Sequence, residues 1–183
     1  MDGTKIRRLI TQSMAFVIAL LSYNLQIEAQ PTSLMRAIEN QHPLAKINEL
    51  IKNGADVNAV DNEFLRCYKP VLRYALDRVI RNPDSFSVEI IKVLIKSGAN
   101  ISAQTYNRTT DIRFYGMMPL LTYAAIYTSA EIVQILIDAG ARDLDTCHAA
   151  DASSLEFKKT ALEVAQELGR TEIIQILTCI KPI

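Results

Sequence analysis

The chain has 183 residues, 49% hydrophobic and 22% charged, with 20 basic and 20 acidic side chains. That balance belongs to a folded soluble domain or a short repeat array, and a formal net charge of zero excludes the bulk field that gathers nucleic acid. Its three cysteines, Cys67, Cys147 and Cys179, form no Cys-x-x-Cys pair, which argues against a disulfide scaffold and against a zinc ribbon.

Residues 1–29 differ in kind from the rest. Lys5, Arg7 and Arg8 precede the apolar run MAFVIALL (residues 14–21), no charge falls between Arg8 and Glu28, and small Ala29 stands before Gln30 and Pro31. A basic start, a short apolar centre and a small closing residue describe a secretory signal peptide. Cleavage after Ala29 is expected, leaving residues 30–183 as the mature domain, exported to a periplasm or to the extracellular space. The alternative is an uncleaved membrane anchor, because residues 9–27 hold 19 positions without charge. Thr11, Gln12, Ser13, Ser22, Asn24 and Gln26 weigh against it. A membrane is an expected partner only in that case.

From residue 32 onward the chain repeats itself. Short helices are expected at SLMRAIEN, PVLRYALDR, PLLTYAAIY and TALEVAQEL, which align Leu34, Leu72, Leu121 and Leu162, and three positions later Ala37, Ala75, Ala124 and Ala165. Leu and Ala at that spacing share a face, and the small residue lets another helix come close. Pro70 and Pro119 suit a first helical turn, where a missing N–H costs nothing. A longer helix follows in INELIK, EIIKVLIK and EIVQILID, apolar over a wide face. These end at Gly54, Gly98 and Gly140, where glycine accepts the left-handed backbone that stops a helix. The segments ADVNA and ANISA beyond them read as short and extended.

Short helix, turn, longer helix, glycine stop and finger: this unit resembles the ankyrin repeat. TALEVAQELGRTEIIQIL (residues 160–177), YAAIYTSAEIVQILIDAGA (residues 123–141) and NGADVNAVD (residues 53–61) carry the resemblance. It covers nearly all of residues 32–180, in four units at roughly 32–60, 69–104, 118–145 and 159–181. The implied fold is all-α, an ankyrin-repeat solenoid of stacked helix-turn-helix units with hairpin-like fingers. One such helix pair cannot bury its apolar face alone, so copies must cover each other. The departures are long fingers, a long turn at residues 79–89, stop glycines 44 and 42 residues apart rather than about 33, and loss of the family's first-helix histidine to Met35, Arg73, Thr122 and Glu163. Stability is therefore expected to rest more heavily on apolar burial.

Catalytic chemistry finds little support. His42 and His148 are the only histidines, and Cys147-His148 are neighbours in a finger without an orienting third group. Cys67, Cys147, His148 and Cys179 lack the close pairs of a metal site, and no phosphate loop or nucleophile elbow is present. No enzymatic activity, cofactor, metal or small-molecule substrate is expected. Export would place Cys147 and Cys179 where a disulfide across the last unit is an option. Asn107-Arg108-Thr109 fits an N-glycosylation acceptor, meaningful only in a eukaryotic host.

The function expected is protein binding. The stretch from Arg66 to Arg81 holds Arg66, Lys69, Arg73, Arg78 and Arg81 against one acid, Asp77, and reads either as a solvated helix face or as a basic patch. The resemblance implies binding through finger tips and the exposed face of the first helices. It maps onto Asp77 with Arg78, Ile126 with Tyr127, and Tyr106, Phe114 and Tyr115 in the second finger, with Arg73 beside them. Aromatics next to cations are what interface centres favour; the alternative is that the finger folds back and buries its own rings. A membrane-tethered scaffold, or a regulator or protective partner of an envelope or secreted enzyme, is the other reading.

Overall fold

The computed structural model describes residues 31–61, 68–142 and 159–179. The expected signal segment, Cys67, Cys147 and His148 lie outside those residues, and with them the question of a Cys147–Cys179 disulfide. The described residues form four helix pairs: α1 (Ser33–Glu39) with α2 (Leu44–Lys52), α3 (Val71–Arg81) with α4 (Ser85–Lys96), α5 (Leu120–Tyr127) with α6 (Ala130–Asp138), and α7 (Ala161–Glu167) with α8 (Thr171–Thr178). Between pairs run β1 (Val60–Asp61) and β2 (Lys69–Pro70), then β3 (Gln104–Asn107) and β4 (Gly116–Pro119) with a 3-10 turn at Ile112–Phe114. This fits an all-α repeat fold.

Local chemistry sets where each helix starts. Thr160 and Glu163 form a reciprocal cap: the Thr160 hydroxyl accepts the Glu163 N–H at 3.2 Å, and the Glu163 carboxylate accepts the Thr160 N–H at 2.8 Å. Thr32 caps α1 in the same place by accepting the Met35 N–H at 3.3 Å. Pro70 and Pro119 sit one residue earlier than the sequence suggested, as the N-caps of α3 and α5. At that flanking position too no intrahelical N–H is lost.

The helix ends are the most regular feature. The Gly54 N–H donates to the Ile51 carbonyl and the Ala55 N–H to the Leu50 carbonyl, both at 3.0 Å, which is the paired closure of a Schellman motif. Gly98 with Ala99 and Gly140 with Ala141 repeat it, and Gly169 with Arg170 close α7 likewise. A Cβ at Gly54 or Gly98 would meet nothing within 4 Å, so glycine is required there for its φ of +87° or +88°, not for space. The turn after α1 has the same bonds, from Gln41 to Ile38 (3.2 Å) and from His42 to Ala37 (2.9 Å), but the left-handed residue is Gln41, at φ +58°.

Past Gly54 and Gly98 the chain turns rather than extending at once. The Asp56 carboxylate accepts the Asn58 N–H at 2.8 Å, and Asn100 does the same for Ser102 at 3.0 Å. The second finger then becomes an antiparallel hairpin in register Gln104↔Pro119 to Asn107↔Gly116. The fingers also join one another, because the Tyr106 N–H donates to the Tyr68 carbonyl at 2.9 Å.

First helices pack in series, α1 on α3, α3 on α5 and α5 on α7, while α2 packs on α4 and α6 on α8. The aligned positions explain the contact. Leu34, Leu72 and Leu121 are buried, as are Ala37, Ala75, Ala124 and Ala165. Leu162, in the last pair, is half-buried. Each fully buried Leu, Ile or Val in this row contributes roughly 1.5–3 kcal/mol. Where α3 packs on α5 beside the finger bases, the row has the flank on which the site is built.

Candidate functional site

On that flank one polar and aromatic network runs from β2 to the second finger. Asp77 projects from α3 and takes three donors: Arg73 Nε one turn earlier at 2.7 Å, Lys69 Nζ from β2 at 3.0 Å, and the Tyr123 hydroxyl from α5 at 2.9 Å. The Arg73 guanidinium carbon then sits over the Tyr123 ring, 3.4 Å from its centroid, and Arg73 Nη1 donates to Thr105 Oγ1 at 3.0 Å. Tyr123 packs on Tyr127 with ring centroids 4.7 Å apart. Asn107 Nδ2 donates to the Tyr127 hydroxyl at 2.9 Å and to the Phe114 carbonyl at 2.6 Å. Tyr106 meets Tyr115 edge to face at 5.5 Å.

Sequence spacing produces this arrangement. Arg73 and Asp77 are four apart on one helix face, as are Tyr123 and Tyr127, and the packing of α3 on α5 brings the two pairs together. Burial alone would raise the Asp77 carboxyl, but the adjacent charges of Arg73 and Lys69 outweigh it and hold the group below its ordinary value. Burial pushes the Tyr123 phenol well above its ordinary value, with the Asp77 carboxylate adding to the rise and Arg73 opposing it. At neutral pH the network holds an ionised Asp77 and a neutral Tyr123.

The structure brings together Arg73, Asp77 and Tyr127 of the residues expected to bind a partner, and pairs Tyr106 with Tyr115. It buries four of them. Tyr106 and Phe114 are 6% and 4% exposed, because the finger folds back on its own stack and turns their rings inward. Arg73 is 9% exposed, covered by Tyr123 and Thr105. Arg78 is not the exposed partner of Asp77: it is buried and ties α3 to Ser87 Oγ and to the His42 carbonyl, each at 3.2 Å. Ile126 and Tyr127 are half-buried and pack against the core, and Tyr115 is half-buried. The basic stretch is accordingly neither a solvated face nor an open patch over Arg73 and Arg78. Arg81 remains exposed, with its Nε on the Asp77 carbonyl at 3.3 Å.

Lys69, Tyr123 and Asn107 are network members that sequence reasoning left out of the site. The spacing of Tyr123 and Tyr127 was a usable signal; Lys69 and Asn107 reach the site only through strand pairing. Beside the network a cleft of about 260 Å³ is lined by Glu39, Lys69, Asp77, Ile80 and Arg81. Among the described residues no group of three or more His, Cys, Asp or Glu side chains is placed to hold a metal ion. Asp77, Arg73, Tyr123, Tyr127 and Asn107 take their partners within the network, and exposed Glu39 and Arg81 give it a charged rim.

Repeated helix pairs, closed by left-handed turns and joined by fingers, define a repeat protein. The sequence model of ankyrin repeats, in three copies, matches residues 76–182, so the chain belongs to the ankyrin-repeat family. The match starts within α3; α1 and α2 lie ahead of it and show the same helix-end closure. A comparison with curated proteins finds no match. Ankyrin repeats are general protein–protein interaction modules, and the family is generally non-catalytic.

Proposed function

We propose that this chain is a four-repeat ankyrin solenoid that captures one partner protein on the flank formed by its first helices and fingers. Residues 32–60 count as the first repeat, since α1, α2 and the β1–β2 finger follow the geometry of the later pairs. The observation that carries the reading is the Lys69–Asp77–Arg73–Tyr123–Tyr127–Asn107 network. It fixes the side chains of that flank before any partner arrives, and preorganisation lowers the ordering cost of binding. Half-exposed Ile126, Tyr127 and Tyr115 supply apolar area, and Glu39 and Arg81 supply a charged rim. Export is part of the proposal, supported by the basic, apolar and small segments of residues 1–29. Among the described residues no helix is long and apolar enough to cross a membrane.

A photo-cross-linking residue at position 81, exposed at the edge of the cleft, tests the reading in the full chain in its host cell. A discrete adduct is expected from position 81 and none from position 172, which is exposed on α8. Equal labelling from both positions, or none from 81, would overturn it.

A further inference from the structure

Four large apolar side chains stand out from the described surface: Tyr68, Ile80, Phe86 and Ile112, and Ile112 is the most exposed at 84%. A lone exposed isoleucine is ordinary. What sets this one apart is the turn that holds it. Asp111 Oδ1 accepts the Arg113 N–H at 3.1 Å, and Arg113 returns its guanidinium to the same carboxylate at 2.7 Å. The Phe114 N–H donates to the Asp111 carbonyl at 3.0 Å, and the Asp111 N–H to Thr109 Oγ1 at 3.2 Å. Asn107 holds the Phe114 carbonyl, and Arg113 Nη1 reaches Glu167 on α7 at 3.3 Å. On a slack loop Ile112 would fold down onto the stack, as its neighbours Phe114 and Met118 have done. Here the backbone on both sides of it is pinned.

We infer that Ile112 is a preformed anchor that enters an apolar socket with an acidic rim on the partner protein. The inference rests on the binding function proposed above and adds the chemistry of the contact. Burial of one aliphatic side chain on a fixed turn brings hydrophobic gain with little backbone ordering. The acidic rim follows from charge. Asp111 and Arg113 neutralise each other, whereas Arg108, exposed on the same finger tip, has no ion pair among the described residues. The tip therefore presents an apolar knob beside an exposed cation, and an anionic rim is its complement.

The test measures adduct yield from the cross-linker at position 81 in full-length backgrounds altered at the tip. Ile112→Asp should lower the yield about tenfold or more, Ile112→Leu should keep it within about twofold, and Arg108→Glu should lower it about threefold. Thermal melts of all three variants should match the parent, because neither side chain packs on the core. Undiminished yield with Ile112→Asp, while position 81 still captures its partner, overturns the inference and leaves the binding function standing. Loss of capture from 81 in the parent chain sinks both. Two further results would assign the tip to another occupant and also overturn the inference. One is an adduct between two copies of this chain that Ile112→Asp abolishes. The other is flotation of the parent, but not of Ile112→Asp, with phosphatidylcholine–phosphatidylglycerol vesicles.

Discussion

Asp77 concentrates the electrostatics of the flank in one carboxylate, with two cations and a phenol converging on it. Its folded-state value lies below the ordinary 3.8, so its stabilisation is present above that pH and is lost as pH falls through the lower, folded value. Tyr123 works in the opposite direction. Its value is raised, so its contribution is intact below the ordinary 10.0 and declines as pH climbs beyond it. Denaturant midpoints measured against pH should therefore fall at both ends. Asp77→Asn should cost about 1–3 kcal/mol at pH 7, because it leaves Lys69 and Arg73 without their counter-ion, and should flatten the acid limb. Tyr123→Phe should flatten the alkaline limb alone. An acid limb unchanged in Asp77→Asn would remove the residue from this role.

Helix ends and fingers, as elements, show which parts of the fold were legible beforehand. Gly54, Gly98 and Gly140 could be read directly, since a glycine after an apolar helix states its backbone angle. Gln41 could not, because nothing in its side chain announces a left-handed turn. That makes α1 the helix with a correctable stop. A left-handed residue other than glycine carries a penalty of roughly 1–2 kcal/mol, and glycine returns roughly 0.4–1 kcal/mol through the unfolded chain. Gln41→Gly should thus stabilise the protein by about 0.5–1 kcal/mol in urea titrations; a loss would mean that the Gln41 side chain has a role beyond its backbone. The fingers were legible as long loops but not in their direction. Which rings of residues 105–118 turn inward is decided by the pairing of β3 with β4, by the bond from Tyr106 to Tyr68 and by the Asn107 bridge, all of them contacts across sequence. The first finger adds another such contact. The Asn58 side chain both donates to the Gly98 carbonyl at 3.0 Å and accepts the Asn100 N–H at 2.7 Å, holding one finger to the end of the next long helix.

Across the whole molecule the row of first helices carries the stability, while exposed ion pairs link its parts weakly. Leu121 is buried where α5 meets its neighbours, and Leu121→Ala should cost about 2–5 kcal/mol. Arg113→Ala removes the exposed link from the second finger to Glu167 and should cost less than about 1 kcal/mol. Equilibrium unfolding of the two variants side by side checks the contrast, and similar losses would mean that the finger bridge supports the stack. The apolar row was readable from Leu and Ala spacing; the network on its flank was not, because it needs α3 and α5 already side by side. The same order of events bears on Asn107. Its amide nitrogen donates to two acceptors in the closed finger, and the residue is 4% exposed. An oligosaccharyltransferase could reach that nitrogen only on a chain whose hairpin had not yet zipped. In a eukaryotic secretory pathway, sugar found on Asn107 would mark molecules whose carbohydrate arrived before β3 met β4.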